Sequence, residues 1–298
     1  MPGISVSTSI QAILIKKPVF CRSRISAVPL NDQINARIIA VANQKGGVGK
    51  TTTTINLGAA LAEQGQNVLL IDLDPQGNAS TGLGITADRR DVTTYDFLVG
   101  DASPSEAIQS TTFTNLSIIP ATTDLSSADI ELISNEKRSF LLFDALRQLP
   151  MDAFAFDYIL IDCPPSLNIL TVNAMVAAHA VIVPLQSEFF ALEGLSQLML
   201  TIREVRQTAN KSLRIAGVVL TMYDRRNNLS QQVEADAREN LGGLVYTTVI
   251  PRNVRLSEAP SYSLPALAYD SNSAGSQAYR ELALEVMAKD NIHLKRVS

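Results

Sequence analysis

A mostly parallel, doubly wound α/β sheet flanked by helices is the fold class that the sequence predicts, on three observations. Seven short apolar runs recur between residues 38 and 250. They read as continuously apolar rather than alternating with polar residues, the pattern of strands covered on both faces. Helix-sized segments separate most of them, as crossover connections between parallel strands require. A chain of 298 residues with 46% apolar and 18% charged side chains has enough apolar material to bury such a sheet, which excludes a disordered polymer.

The strands are expected at 38–42, 67–71, 116–119, 158–161, 181–184, 215–220 and 246–250. The connecting helices are expected at 51–64, 125–134, 139–149, 168–178, 192–209, 230–240 and 275–289. No internal repeat and no linker divides residues 37–298, which read as one domain. No apolar run approaches the roughly 18 residues of a membrane-spanning helix.

Residues 1–36 form a basic extension, expected to be disordered. Its first 31 positions hold no acid, carry Lys16, Lys17, Arg22 and Arg24, and are interrupted by Pro2, Pro18 and Pro29. A secretory signal would place its charge before a longer apolar stretch, so export is not expected; a disordered arm, an organellar transit peptide and a start assigned too far upstream stay open. Cys21 and Cys163 form no C-x-x-C, which excludes a disulfide framework or zinc ribbon and fits a reducing, intracellular setting. The formal charge is -4, against a generally cationic nucleic-acid coat protein. Basic residues nonetheless gather late, with nine against five acids over 203–255, so a confined basic patch is expected there.

Between the first strand and the first long helix lies Lys45-Gly46-Gly47-Val48-Gly49-Lys50-Thr51-Thr52, which looks like a P-loop. Glycines at 46, 47 and 49 let backbone N–H groups wrap a phosphate chain, and the helix that follows points its positive end at the same anion. Lys50 is placed to reach the β- and γ-phosphates and the Thr51 hydroxyl to ligate Mg²⁺. Two strands then end in acids: Val68 to Ile71 leads into Asp72 and Asp74, and Tyr158 to Ile161 into Asp162, which reads as the Walker B position. Both lie at the carboxyl edge where open α/β sheets bind ligands. His179 and His293 are poorly placed as general bases, which suits phosphoryl transfer, a reaction of positioning and charge stabilisation.

The usual P-loop pattern wants glycine at position 44, and this chain has Gln44 followed by Lys45. In that departure the segment resembles the deviant Walker A motif of the ParA/MinD class of ATPases. The resemblance to chromosomal ParA (Soj-like) proteins runs from about 37 to 288. It includes residues 72–78, 161–167, 190–198 and 220–224, and a long match at 249–261.

The resemblance implies an ATP- and Mg²⁺-dependent ATPase in which two subunits sandwich two ATP molecules and Lys45 crosses to the partner's nucleotide. It assigns Asp74 to orienting the attacking water near Mg²⁺, Asp162 to holding Mg²⁺ through a water, and Pro251 and Asn253 to the adenine. It implies non-specific DNA binding by the ATP-loaded homodimer through Arg226 and Arg255, stimulation by a ParB-type centromere-binding partner, and a cytoplasmic, nucleoid-associated place of action. A MinD-like membrane-associated positioner is the alternative, which the short tail at 291–298, without an aromatic residue, does not favour. A nitrogenase-reductase-like electron carrier lacks its cluster cysteines, and Cys163 reads as a small buried residue. A nucleotide-sensing scaffold without hydrolysis is the remaining class.

Overall fold

All seven apolar runs become strands of one sheet in a computed structural model that describes residues 36–128, 137–149, 155–188 and 191–297. In chain order the strands are β1 (Arg37–Val41), β2 (Val68–Asp72), β3 (Gln109–Ser110), β4 (Leu116–Ile119), β5 (Tyr158–Asp162), β6 (Ala180–Gln186), β7 (Arg214–Tyr223) and β8 (Val245–Pro251). They lie in the order β3-β4-β2-β5-β1-β6-β7-β8, every pair parallel except β3 with β4. The extra strand β3 has two residues, too few to leave a pattern in the sequence.

The long helices are α1 (Lys50–Glu63), α2 (Ile169–Ala177), α3 (Ala191–Thr208), α4 (Asn228–Leu241) and α5 (Ala274–Val297). The helix expected at 139–149 is shorter, Leu141–Leu146, because the chain switches to i→i+3 bonds at Gln148 and Leu149 and leaves the α-helix. At 125–134 a 3₁₀ turn, Thr123–Ser127, begins the segment, and residues 129–136 lie outside the described residues, as do residues 1–35 of the basic extension. Among the described residues, five further helices of four to six residues, including Asn78–Gly82 and Val254–Glu258, are too short to show a 3.6-residue period.

Strand side chains alternate between two cores. Ile38 and Ala40, Leu69 and Ile71, and Ile159 and Ile161 face one side, where α2, α3 and α4 cover them. Ile39, Leu70 and Leu160 face the other side, against α1 and α5. Gly58 lets α1 settle on the sheet, since a Cβ there would lie 3.1 Å from Leu70 and 3.3 Å from Leu116. The central strand β1 has β5 on one side and β6 on the other, and the chain winds outward in both directions from it. The carboxyl ends of β1, β2 and β5 therefore meet at a topological switch point.

The opposite, amino-terminal edge is held by charge. Asp290 of α5 lies 3.0 Å from Arg37 Nε of β1 and 2.8 Å from Arg214 Nη2 of β7, with its carboxylate nearly buried. Beside it, neutral His179 accepts the Ile38 N–H at Nδ1, 3.0 Å. Burial, helped by Arg37 and Arg214, pulls this imidazole down to about 4.

Two outcomes follow. Asp290→Ala leaves two guanidinium groups without their carboxylate and is expected to cost about 3 kcal/mol in urea unfolding at unchanged m-value; a loss below about 1 kcal/mol would show that solvent replaces the pair. His179 has a folded-state pKa depressed from 6.5 to about 4, so its contribution is complete above pH 6.5 and is lost as pH falls from there towards 4. Parent minus His179→Gln unfolding free energies should shrink by roughly 3 kcal/mol across that window, and a flat difference would refute the assignment.

Candidate functional site

The Gly-rich segment joins β1 to α1, and the sheet holds it at both ends. Lys45 N–H donates to Asn43 Oδ1 (3.0 Å), while Asn43 Nδ2 donates to the Pro184 carbonyl of β6 (2.7 Å). The Thr221 hydroxyl of β7 donates to the Val48 carbonyl (2.8 Å), so the loop is tied to two neighbouring strands. Gly47 (φ 73°) and Gly49 (φ 85°) occupy the left-handed region that glycine tolerates best, and Gly49 starts α1. The loop is thus an open backbone cradle of N–H groups at a helix start, suited to a phosphate chain.

Around it the structure gathers Lys50, Thr51, Asp72, Asp74 and Asp162. Lys50 is buried, and its Nζ donates to the Lys45 carbonyl (3.1 Å). Burial pulls its ammonium below the usual lysine range, against the opposing attraction of Asp162 and Asp74. Asp162 is fully buried; Oδ1 accepts from Thr54 Oγ1 (3.1 Å), Thr51 lies at the same helix start one turn before Thr54, and Oδ2 has no partner among the described residues. Burial and then the neighbouring Asp72 push its carboxyl well above the ordinary range.

Asp72 is likewise raised by burial. It accepts from Ser80 N–H (2.8 Å), Ser80 Oγ (2.6 Å) and Asp74 N–H (3.2 Å), and so works as a scaffold for the loop behind it. Asp74 is almost buried and accepts the Gln76 N–H (3.0 Å). The orphaned Asp162 oxygen and the Thr51 hydroxyl at the start of α1 are hard oxygen donors facing the phosphate cradle. A divalent cation such as Mg²⁺ fits them.

Next to the cradle opens a cleft of about 480 Å³ lined by Gly49, Thr52, Ser187, Pro251, Asn253 and Tyr279, among others. Pro251 and Asn253 thus line a cleft that adjoins the cradle. Asn253 Oδ1 is already engaged, accepting the Arg255 N–H (2.9 Å) as cap of helix Val254–Glu258. Ser187, buried with its hydroxyl unpartnered among the described residues, is a further candidate contact in that wall.

Lys45 points out of the loop and pairs with Glu188 Oε2 (3.0 Å), a half-exposed contact that contributes little stability. Arg226 is 91% exposed and forks onto Asp224 at 3.1 Å; Arg255 reaches Glu258 (2.9 Å) and Asp270 (3.1 Å). The basic run at 203–255 is not one surface patch, because folding pairs a half-buried Arg214 with Asp290 and sets Arg238 on Glu234. Exposed Arg225, Arg226 and Arg252 instead share one groove with Val254.

Several residues of the site leave little trace in the sequence. Thr54 follows Thr51 by three positions in α1, a spacing that puts both hydroxyls on one helix face. Ser80, Glu188 and Thr221 act only through tertiary contacts.

Comparison with known proteins agrees with this geometry. A family model described as an AAA domain matches residues 36–215. The chain is 59% identical over 254 residues to the "Chromosome partitioning protein ParA" of Caulobacter vibrioides, covering 85% of this chain and 95% of that one. It is 52% identical to the "Sporulation initiation inhibitor protein Soj" of Bacillus subtilis, covering 85% and 98%. Among solved structures, a Mycobacterium smegmatis protein named cobyrinic acid a,c-diamide synthase, with bound ATP analog and magnesium, is similar at TM-score 0.74 and 42% identity, covering 83% and 92%.

Thr221→Val keeps the side chain's shape and removes the hydroxyl that holds the Val48 carbonyl. It is expected to cost about 1–3 kcal/mol of stability and to weaken binding of a nucleoside diphosphate, read by fluorescence titration, about tenfold. Unchanged affinity would show that the cradle keeps its shape without this tie.

Proposed function

We propose, for a chain that belongs to the ParA/Soj family of chromosome-partitioning ATPases, that ATP joins two copies face to face and that this dimer alone grips DNA. The protein is a Mg²⁺-dependent ATPase that drives partitioning. Relatives named for chromosome partitioning match at 47–59% identity over 89–98% of their own length, against 42% for the solved structure named cobyrinic acid a,c-diamide synthase, and that supports the partitioning role.

The observation that carries the proposal is the Lys45 side chain, which leaves its own cradle and rests on Glu188 through a weak, half-exposed pair. A second cation that is free to leave offsets the repulsion between two ATP-loaded faces. Within one subunit the N–H groups of residues 46–52 bind the phosphates and Lys50 adds charge at the transferring group. Thr51 and, through water, Asp162 are the residues that would hold Mg²⁺, which when bound neutralises charge on the phosphates. Asp74 orients the attacking water, and Pro251 and Asn253 flank the base.

DNA binding is assigned to Arg226 and Arg255. Each spends part of its charge on acids nearby, so one subunit alone binds weakly, and two patches on one duplex make binding depend on dimerisation. A ParB-type centromere-binding protein stimulates hydrolysis and releases the dimer, which places the protein in the cytoplasm on the nucleoid. Among the described residues no helix is long and apolar enough to cross a membrane.

DNA binding measured with ATP, ADP and no nucleotide tests the scheme. The parent should bind only with ATP, with a steep loss on adding salt. Lys45→Ala, Lys50→Ala and the Arg226→Glu/Arg255→Glu pair should each lose binding at least tenfold. Retained binding in Lys50→Ala, or hydrolysis that DNA plus a ParB-type protein fails to accelerate, would overturn it.

A further inference from the structure

We infer that Arg90 is a positioning residue for hydrolysis, fixing Asp74 through a closed ring of hydrogen bonds; this rests on the reading of Asp74 given above. The ring can be followed link by link. Asp74 N–H donates to Asp72 Oδ1 (3.2 Å), and Asp72 Oδ2 accepts the Ser80 hydroxyl (2.6 Å). Ser80 Oγ in turn accepts the Ala121 N–H (3.0 Å), and the Ala121 carbonyl accepts from Arg90 Nη1 (3.0 Å). Arg90 Nη2 donates to Thr81 Oγ1 (2.8 Å), the Thr81 hydroxyl donates to the Gly77 carbonyl (3.0 Å), and Gly77 N–H returns to the Asp74 carbonyl (2.9 Å).

Each hydroxyl in the ring donates once and accepts from its other neighbour, so the two hydroxyl rotors are set. Arg90 is the member that spans the gap between the turn after Asp74 and the end of β4. Its Nε and Nη2 also hold the Ile85 carbonyl at 3.0 and 2.7 Å, which aims the guanidinium fork. The fit at Gly77 points the same way independently. Gly77 has φ 61°, and a Cβ there would overlap Arg90 Nη1 and lie 2.8 Å from the Ala121 carbonyl, so the guanidinium packs directly on the turn that carries Asp74.

No member of the ring beyond Asp72 and Asp74 is assigned a part in the chemistry. Arg90 acts on it through Asp74, by fixing the backbone N–H and carbonyl from which that carboxylate projects; small displacements of such a group are costly in rate. Lysine cannot replace it, since an ammonium keeps the charge but lacks the rigid fork that reaches three acceptors in different directions.

The test compares steady-state ATP hydrolysis with affinity for ADP, measured separately by fluorescence titration, for the parent, Arg90→Met, Arg90→Lys, Thr81→Val, the Arg90→Met/Thr81→Val pair and Asp74→Ala. The expected result is a fall in kcat of about tenfold or more in each single ring variant, Arg90→Lys included, with ADP affinity within about threefold of the parent. The double variant should fall no further than the worse single, because both open the same ring. A kcat within twofold of the parent in Arg90→Met and Thr81→Val, or full turnover in Arg90→Lys, overturns the inference. If Arg90→Met does not fold, Thr81→Val decides alone. An inactive Asp74→Ala beside a fully active Arg90→Met removes only the role of Arg90, whereas an Asp74→Ala that hydrolyses at the parent rate removes the reading of Asp74 and the inference with it.

Discussion

Two aspartates end neighbouring parallel strands side by side: Asp72 of β2 and Asp162 of β5 are register partners, both fully buried. Two carboxylates cannot stay ionised at that spacing in a low-dielectric interior without compensation, and the rest of the site supplies it. Ser80 turns its N–H and hydroxyl onto Asp72, which fixes the start of helix Asn78–Gly82. Thr54 and Lys50 bring α1 onto Asp162. The division leaves Asp72 saturated with hydrogen bonds and Asp162 with one oxygen unpartnered, so only one member of the pair is left to receive a cation.

The same economy of contacts links the nucleotide side to the surface. Pro251 and Arg252 line both the cleft beside the cradle and the basic groove with Arg225 and Arg226. A single strand end, that of β8, is therefore the wall between the two. Arg252 N–H donates to the Tyr223 carbonyl at 3.0 Å, tying that wall to β7, the strand that also steadies Val48 through Thr221. Glycine loop, adjoining cleft and basic groove thus share the ends of two adjacent strands.

The sheet was legible in the sequence because its strands are buried on both faces, and burial on both faces demands unbroken apolar runs such as Val68–Ile71 and Ile159–Ile161. Helices shorter than two turns left no period to detect. The cradle was legible because it is local: Lys45, the glycines, Lys50 and Thr51 work as a contiguous stretch with fixed spacing. Ser80, Arg90 and Thr221 work through partners 8, 31 and 173 residues away, and nothing in their sequence surroundings distinguishes them from ordinary loop or strand residues. The basic run misled in the opposite sense. Adjacent charges in the chain say nothing about which of them the fold turns inward, and Arg214 and Arg238 were spent on structure.

Arg37 opens the central strand, yet its counter-charge, Asp290, is supplied by the last helix. During synthesis the first strand leaves the ribosome about 250 residues before that carboxylate does, and chains are made at roughly 5–20 residues per second. For that interval the middle of the sheet carries an uncompensated cation at its edge. The pairing of the first strand with the last helix therefore forms only after almost the whole polypeptide has emerged.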